Sequence, residues 1–134
     1  MRLTYFGWII IVFGIAVLSC NTDDVEETVE GSFEGVFTVT YSNNETFSNS
    51  VEVTLNNGIY SSTAGPDRLP AGGTGTYEIL SNTITFEDEG VWTADFDWNL
   101  ILNGAYSYTL SGNKLILSAE KNNVGTYTYE LTRN

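Results

Sequence analysis

The sequence contains no histidine, a single cysteine and two prolines among its 134 residues. Without histidine, and with Cys20 alone, the chain lacks the side chains that usually bind zinc or assist a nucleophile. A disulfide within the chain is excluded. Basic residues are also scarce: the chain contains five Lys and Arg against 17 Asp and Glu, which gives a net charge of −12. Because nucleic-acid binding depends on many Lys and Arg, no nucleic-acid partner is expected.

The first 19 residues have the composition of a removable secretory signal peptide. Met1 and Arg2 supply positive charge, and residues 3–18 are apolar apart from two positions. A basic start, an apolar stretch and a small residue before the cleavage point are typical of such peptides. The apolar stretch is shorter than the ~20 residues that span a bilayer. An uncleaved membrane anchor is the alternative.

The tetrad Val17-Leu18-Ser19-Cys20 ends this stretch and resembles the lipobox of bacterial lipoproteins. In that family the cysteine receives a diacylglycerol and becomes the new N-terminus. The resemblance implies a signal peptide over residues 1–19, lipidation of Cys20 with acyl chains such as palmitate, and anchoring in the outer membrane. Two or more acyl chains hold a protein stably at a bilayer.

Residues 20–30 are predicted to form a lipidated acidic linker. After Cys20 only Val25 and Val29 are apolar, which is too little apolar surface to drive folding. The acidic pairs Asp23-Asp24 and Glu26-Glu27 resemble the export signal of surface-exposed lipoproteins in some Gram-negative bacteria, which implies exposure at the cell surface. A plain solvated spacer is the alternative.

Residues 31–134 alternate between apolar and polar side chains with period two, which is typical of half-buried β-strands. Asn56-Asn57-Gly58 is a strong hairpin signal because Asn and Gly tolerate positive φ angles. We count eight strands joined by short turns, with one further short segment near Leu100. This pattern of strands and short turns predicts an all-β, antiparallel up-and-down meander. We expect it to close into a barrel, because closure removes exposed strand edges; a two-sheet sandwich is the alternative.

Two predicted hairpins resemble those of bacterial lipocalin-like domains. They are Gly75-Thr76-Tyr77-Glu78-Ile79 with Thr83-Ile84-Thr85-Phe86, and residues 102–108 with residues 112–117. The resemblance covers most of residues 31–134 and implies a cup that holds a small apolar molecule.

Lipocalins usually open with Gly-x-Trp and carry an arginine that packs on that tryptophan. Here the position of the Gly-x-Trp motif is taken by Gly31-Ser32-Phe33 or by Gly35-Val36-Phe37, with phenylalanine instead of tryptophan. Arg133 is the candidate for the arginine.

Mostly large side chains are predicted to face the barrel interior. They are Phe33, Phe37, Val39, Tyr41, Phe47, Val51, Val53, Leu55, Tyr60, Tyr77, Ile79, Ile84, Phe86, Leu100, Leu102, Tyr106, Tyr108, Leu110, Leu115, Leu117, Tyr127, Tyr129 and Leu131. Six of them are the predicted ligand contacts: Tyr77, Phe86, Tyr106, Tyr108, Tyr127 and Tyr129. A barrel of this size is just wide enough to be filled by side chains or to hold one small ligand. A filled barrel that acts as a structural or interaction domain, with its loops binding a partner or a glycan, is the alternative function.

Five carboxylates lie close together in the sequence, at Glu87, Asp88, Glu89, Asp95 and Asp97. Their spacing does not match a calcium-binding loop, and no partner residue for glycosidase chemistry accompanies them. We therefore predict an acidic surface. No metal site, cofactor or catalytic residue is expected, and the protein is predicted not to be an enzyme.

Two tryptophans, Trp92 and Trp98, flank the same stretch. Since large aromatic side chains are usually well buried, they are expected to close one end of the barrel. Stacking on sugars, or anchoring a partner, is the alternative. Asp67-Arg68, in the loop that contains both prolines, is expected to form an exposed ion pair of little consequence.

Overall fold

A computed structural model of the chain describes residues 28–134. The predicted signal peptide, Cys20 and residues 21–27 of the predicted linker lie outside the described residues. The strands are β1 (Gly31–Tyr41), β2 (Thr46–Asn56), β3 (Ile59–Ser62), β4 (Gly73–Leu80), β5 (Thr83–Asp88), β6 (Gly104–Ser111), β7 (Lys114–Lys121) and β8 (Gly125–Arg133). Two single turns of 3-10 helix lie at Pro66–Arg68 and Trp98–Leu100.

The eight strands form one closed antiparallel barrel. Each strand pairs with its neighbours in the sequence, and β1 also pairs with β8. Gly35, for example, lies opposite Val51 of β2 and opposite Leu131 of β8. Closure confirms the predicted up-and-down barrel and excludes the two-sheet sandwich. Because β1 is paired on both sides, the seam exposes no strand edge to another chain.

Tight turns connect the strands at one end of the barrel, which we call the turn end. Asn57-Gly58, Ser81-Asn82 and Gly112-Asn113 are two-residue loops between paired strands. Asn57, Gly58, Ser81 and Gly112 adopt positive φ angles. These angles give a loop the twist that matches two antiparallel strands, so the local residue choice fixes the strand register. Residues 28–30 enter β1 at the same end.

Two long loops cover the opposite end, and together we call them the cap. Residues 63–72 connect β3 to β4, and residues 89–103 connect β5 to β6. A parallel bridge between Gly72 and Ile101 joins the loops, and Ala71 N donates to Leu100 O at 3.0 Å. The short segment predicted near Leu100 is therefore a 3-10 turn followed by a single bridge, not a strand.

Most of the residues predicted to face inward are buried, and the largest of them expose 1 % of their surface or less. Two of the residues predicted to face inward lie opposite buried residues of the neighbouring strand but are not buried themselves. Phe47, near the start of β2, and Ile79, near the end of β4, are each 41 % exposed. Alternation gives the side of the strand that a residue faces. It does not give the depth, and both residues lie where their strands reach an end of the barrel.

Val29 belongs to the predicted acidic linker, yet it is only 4 % exposed and packs with the barrel core. The neighbouring backbone is held at the turn end. The Arg133 guanidinium donates to the Thr28 carbonyl at 2.9 Å, and Asn57 N donates to the Glu30 carboxylate at 3.3 Å. The last three residues of the predicted linker therefore pack against the barrel.

Arg133 also lies over the Phe33 ring, with its guanidinium carbon 5.2 Å from the ring centroid. A guanidinium at this distance is attracted by the negative face of the ring. Of the two segments proposed for the lipocalin-like opening, Gly31-Ser32-Phe33 is the one whose aromatic residue contacts this arginine.

Candidate functional site

Aromatic rings fill the centre of the barrel. The ring centroids of Phe37 and Tyr129 are 4.9 Å apart, and those of Tyr60 and Phe86 are also 4.9 Å apart. Tyr106 connects the two pairs, at 5.8 Å from Phe86 and 5.9 Å from Tyr129. These distances and the tilted or edge-to-face ring planes are those of well-packed aromatic pairs. The middle of the barrel is therefore occupied by side chains.

Tyrosine hydroxyls in the barrel hold the cap in place. Tyr127 donates to Asp97 Oδ2 at 2.6 Å, and Tyr41 donates to the same oxygen at 3.1 Å. Tyr60 donates to the Leu102 carbonyl at 2.5 Å. Hydrogen bonds to a charged group are stronger than neutral ones, so Asp97 is the main polar contact between the cap and the barrel wall. The sequence predicted Asp97 only as part of an acidic surface.

Two other hydroxyls in the interior, those of Tyr106 and Tyr129, have no hydrogen-bond partner among the described residues. Burial raises the pKa of both phenols well above 10, with smaller contributions from neighbouring tyrosines. Burial likewise raises the pKa of Tyr60 and Tyr127, and the Asp97 charge adds to the effect at Tyr127. Burial therefore disfavours the ionised form of all four phenols.

Lys121 lies at the cap end, where its ammonium group contacts two of these rings. Its Nζ atom is 4.7 Å from the Tyr106 centroid and 5.6 Å from that of Tyr127, and it donates to the Asn103 carbonyl at 2.7 Å. Burial lowers the pKa of Lys121 to about 8, although the nearby Asp97 charge acts in the opposite direction. The cap end therefore contains a partly buried cation, which no pattern in the sequence had singled out.

The two tryptophans of the cap have different environments. Trp92 is half-buried against the core, and its Nε1 donates to Asp88 Oδ2 at 2.5 Å. Trp98 is 55 % exposed. The expected closure of the barrel end therefore holds for Trp92 and is wrong for Trp98. Phe96, which lies between the two tryptophans in the sequence, packs against the core. The guanidinium carbon of Arg68 lies 4.8 Å from the centroid of the Phe96 ring.

Of the five carboxylates in residues 87–97, two accept hydrogen bonds from backbone N–H groups. Asp88 Oδ1 accepts from Thr74 N at 3.1 Å, and Asp97 Oδ1 accepts from Asn99 N at 3.0 Å. In residues 28–134, no three Asp, Glu, Cys or His side chains converge in a way that suits a metal ion.

A pocket of about 340 Å³ opens beside Trp98, and we call it the cap pocket. Its wall also includes Asn99, Asn103, Glu120, Lys121 and Asn122. Gly104 and Ala105 complete the wall, so the pocket is mainly polar and the indole is its largest apolar surface.

A larger groove, of about 610 Å³, lies at the turn end next to the entering chain, and we call it the N-terminal groove. Tyr77, Ile79 and Tyr108 line it together with Val29. The Tyr108 hydroxyl is held by the Ser81 carbonyl at 3.2 Å. Its lining combines apolar side chains with a few fixed polar groups, which is the usual composition of a small-molecule site.

The six predicted ligand contacts therefore divide into two groups. Tyr77 and Tyr108 lie together in the N-terminal groove. Phe86, Tyr106, Tyr127 and Tyr129 lie in the packed interior and expose 1 % of their surface or less. The structure adds Val29 and Ile79 to the groove. Val29 follows an acidic stretch, and Ile79 was predicted only to face the barrel interior, so the sequence did not mark either as part of a site.

Comparisons with protein families, with curated proteins and with solved structures gave no significant match. Within residues 28–134, no helix is long and apolar enough to cross a bilayer.

Proposed function

We propose that the chain is a membrane-anchored bacterial lipoprotein, held in the outer membrane by acyl chains on Cys20, whose lipocalin-like barrel binds a small apolar molecule in the N-terminal groove. The observation that carries the binding proposal is the groove itself, which is lined by Val29, Tyr77, Ile79 and Tyr108 at an end of an otherwise packed barrel. The anchoring proposal rests on the tetrad Val17-Leu18-Ser19-Cys20.

The position of the groove relative to Cys20 supports combining the two proposals. Residues 21–27 separate Cys20 from Thr28 on the rim of the groove. The eight steps from Cys20 to Thr28 span at most about 29 Å. The turn end of an anchored barrel therefore stays close to the bilayer, which is where an apolar molecule is most abundant.

The charge of the chain favours a neutral ligand. Glu30 lines the groove, and the whole chain carries a net charge of −12. Moving an unpaired anion out of water costs free energy, and the like charges of the chain repel it. A long-chain alcohol or an acylglycerol therefore fits this groove better than a fatty-acid anion.

Lipidation is tested by mass spectrometry of the N-terminal peptide from protein isolated from Gram-negative cells. We expect a peptide that begins at Cys20 and carries the mass of the diacylglycerol modification, and we expect Cys20→Ser to abolish both the cleavage and the added mass. An N-terminal peptide that begins at Met1, or one that begins at Cys20 without acyl chains, contradicts the anchoring proposal.

Binding in the groove is tested with native mass spectrometry after incubation of the protein with 1-decanol and, separately, with decanoate. We expect 1-decanol to bind better than decanoate. Ile79→Asn should lower the affinity for 1-decanol at least about tenfold, which corresponds to ~1.4 kcal/mol, because a polar amide replaces an apolar wall. Ile59→Asn is the matched control, since Ile59 is 64 % exposed and lies outside the groove lining.

The packed aromatic interior favours a second candidate function, that of a structural or interaction domain whose loops make its contacts. No bound 1-decanol in the unmodified protein, or equal losses in Ile79→Asn and Ile59→Asn, favours this second function over ligand carriage.

A further inference from the structure

We propose that the cap pocket is a binding site for a neutral pyranose sugar, with Trp98 as the stacking platform. The proposal concerns the end of the barrel opposite to the N-terminal groove and does not depend on the function proposed for that groove. It follows from three properties of the pocket: an exposed aromatic face, a set of paired donors and acceptors, and a balanced charge.

The indole of Trp98 is exposed but held in a fixed position. It is 55 % exposed, while its Nε1 donates to the Ala94 carbonyl at 3.1 Å and its ring packs 6.3 Å from that of Phe96. The hydrogen bond within the loop satisfies the polar atom of the indole, so the exposed part is an apolar face. A pyranose ring offers a matching flat face of C–H groups, and contact between the two removes apolar surface from water.

The polar side chains of the pocket suit the hydroxyl groups around a sugar ring. Asn99, Asn103 and Asn122 lie in the pocket wall, and each amide offers both donors and an acceptor. Asn103 Oδ1 already accepts from Asp88 N at 2.9 Å, which orients this side chain and leaves its NH₂ group as a donor. Glu120 is exposed, and a carboxylate accepts two hydrogen bonds from neighbouring hydroxyls.

Lys121 completes the wall. Its Nζ atom is fixed by the Asn103 carbonyl at 2.7 Å and by the Tyr106 ring at 4.7 Å. An ammonium group has three donors, so donors remain for a sugar oxygen. Lys121 and Glu120 balance one another in charge, and the excess of carboxylates in the cap disfavours an acidic sugar. The ligand class is therefore neutral.

Two further properties fit a carbohydrate. The volume, about 340 Å³, lies at the small end of ligand pockets, which suits one sugar ring at the end of a glycan. The cap also lies at the opposite end of the barrel from Thr28, because β1 runs from the turn end to the cap. A barrel attached through its N-terminus thus presents the cap pocket away from the attachment.

The test is saturation-transfer NMR on the full-length protein with four probes: glucose, galactose, mannose and N-acetylglucosamine. We expect at least one probe to bind with a Kd on the order of 1–10 mM, with the strongest transfer to the C–H protons of one ring face. Trp98→Ala should weaken binding at least about tenfold, and Trp98→Phe, which keeps a smaller flat ring, should weaken it less. Glu120→Gln should also weaken binding, because the amide replaces one acceptor.

Val91→Ala is the control within the same loop, since Val91 is 90 % exposed and lies outside the pocket wall. It should leave binding unchanged. Thermal unfolding verifies the fold of each variant. If Trp98→Ala does not fold, the binding measurements on Glu120→Gln and Trp98→Phe decide whether the sugar binds in the cap pocket. The proposal is wrong if none of the four sugars binds at about 10 mM, or if the bound sugar is unaffected by the changes at Trp98 and Glu120.

Discussion

Replacing Gly35 with alanine is expected to disrupt the barrel at the seam where β1 meets β8. A Cβ atom at this position would lie 1.9 Å from the Glu130 carbonyl oxygen and 2.9 Å from the Leu131 Cα atom. Both atoms belong to the backbone of the partner strand, so the ladder itself would have to move. We expect a loss of at least about 4 kcal/mol, which is a large part of the ~5–15 kcal/mol that holds a domain folded.

The measurement is urea-induced unfolding followed by circular dichroism, with Gly112→Ala as the matched control. Gly112 has a φ angle of 59° and would place its Cβ atom in open space. That variant should lose only about 1–2 kcal/mol, the cost of a left-handed alanine. If Gly35→Ala unfolds at the same urea concentration as Gly112→Ala, the close approach of the two strands at the seam is refuted.

The second large effect is alkaline unfolding, which is expected to be steep above about pH 10. In the unfolded chain the tyrosines lose their protons near pH 10. In the folded barrel, burial raises the pKa of Tyr60, Tyr106, Tyr127 and Tyr129 well above that value. The folded state then binds more protons than the unfolded state, so the free energy of unfolding falls as the pH rises.

Each such tyrosine loses about 1.4 kcal/mol of stability for each pH unit above 10. The four together lose at most about 6 kcal/mol by about pH 11, which is at the lower end of the total stability of a domain. Lys121 acts in the opposite direction at lower pH. Because burial lowers its pKa to about 8, the unfolded chain binds more protons between about pH 8 and 10, and stability rises over that range.

The experiment is a pH series of thermal unfolding, with tyrosinate absorbance recorded on the same samples. We expect tyrosine ionisation and loss of structure to occur together. Tyr129→Phe should shift the alkaline midpoint upward, since it removes one buried phenol that has no partner among the described residues. Ionisation of the buried tyrosines at about pH 10 without unfolding is the result that would contradict the packed interior.

The sequence predicted the strand order and the turns because both depend on local residue patterns. Alternation of period two identified most of the core, and Asn57-Gly58 predicted a hairpin that the structure contains at that position. With short turns between most of the strands, a sequential meander was favoured, and the barrel closes because its first and last strands pair.

The candidate sites were less predictable, because they form between elements that are distant in the sequence. Asp97 contacts Tyr41 and Tyr127 across 56 and 30 residues, and no pattern within its own loop reveals such partners. Val29 was assigned to a linker because its neighbours are acidic, but it packs with the core at the turn end.

By itself, the sequence determined that this protein is an all-β meander with period-two strands and left-handed two-residue turns, since those properties arise from neighbouring side chains and local φ angles. Only the tertiary structure decided that Tyr106 and Tyr129 fill the barrel while Tyr77 and Tyr108 line a groove at its end. The physical reason is depth: residues on the same face of their strands are equivalent in the sequence pattern, and closure of the barrel alone determines which of them reach its centre and which reach its rim.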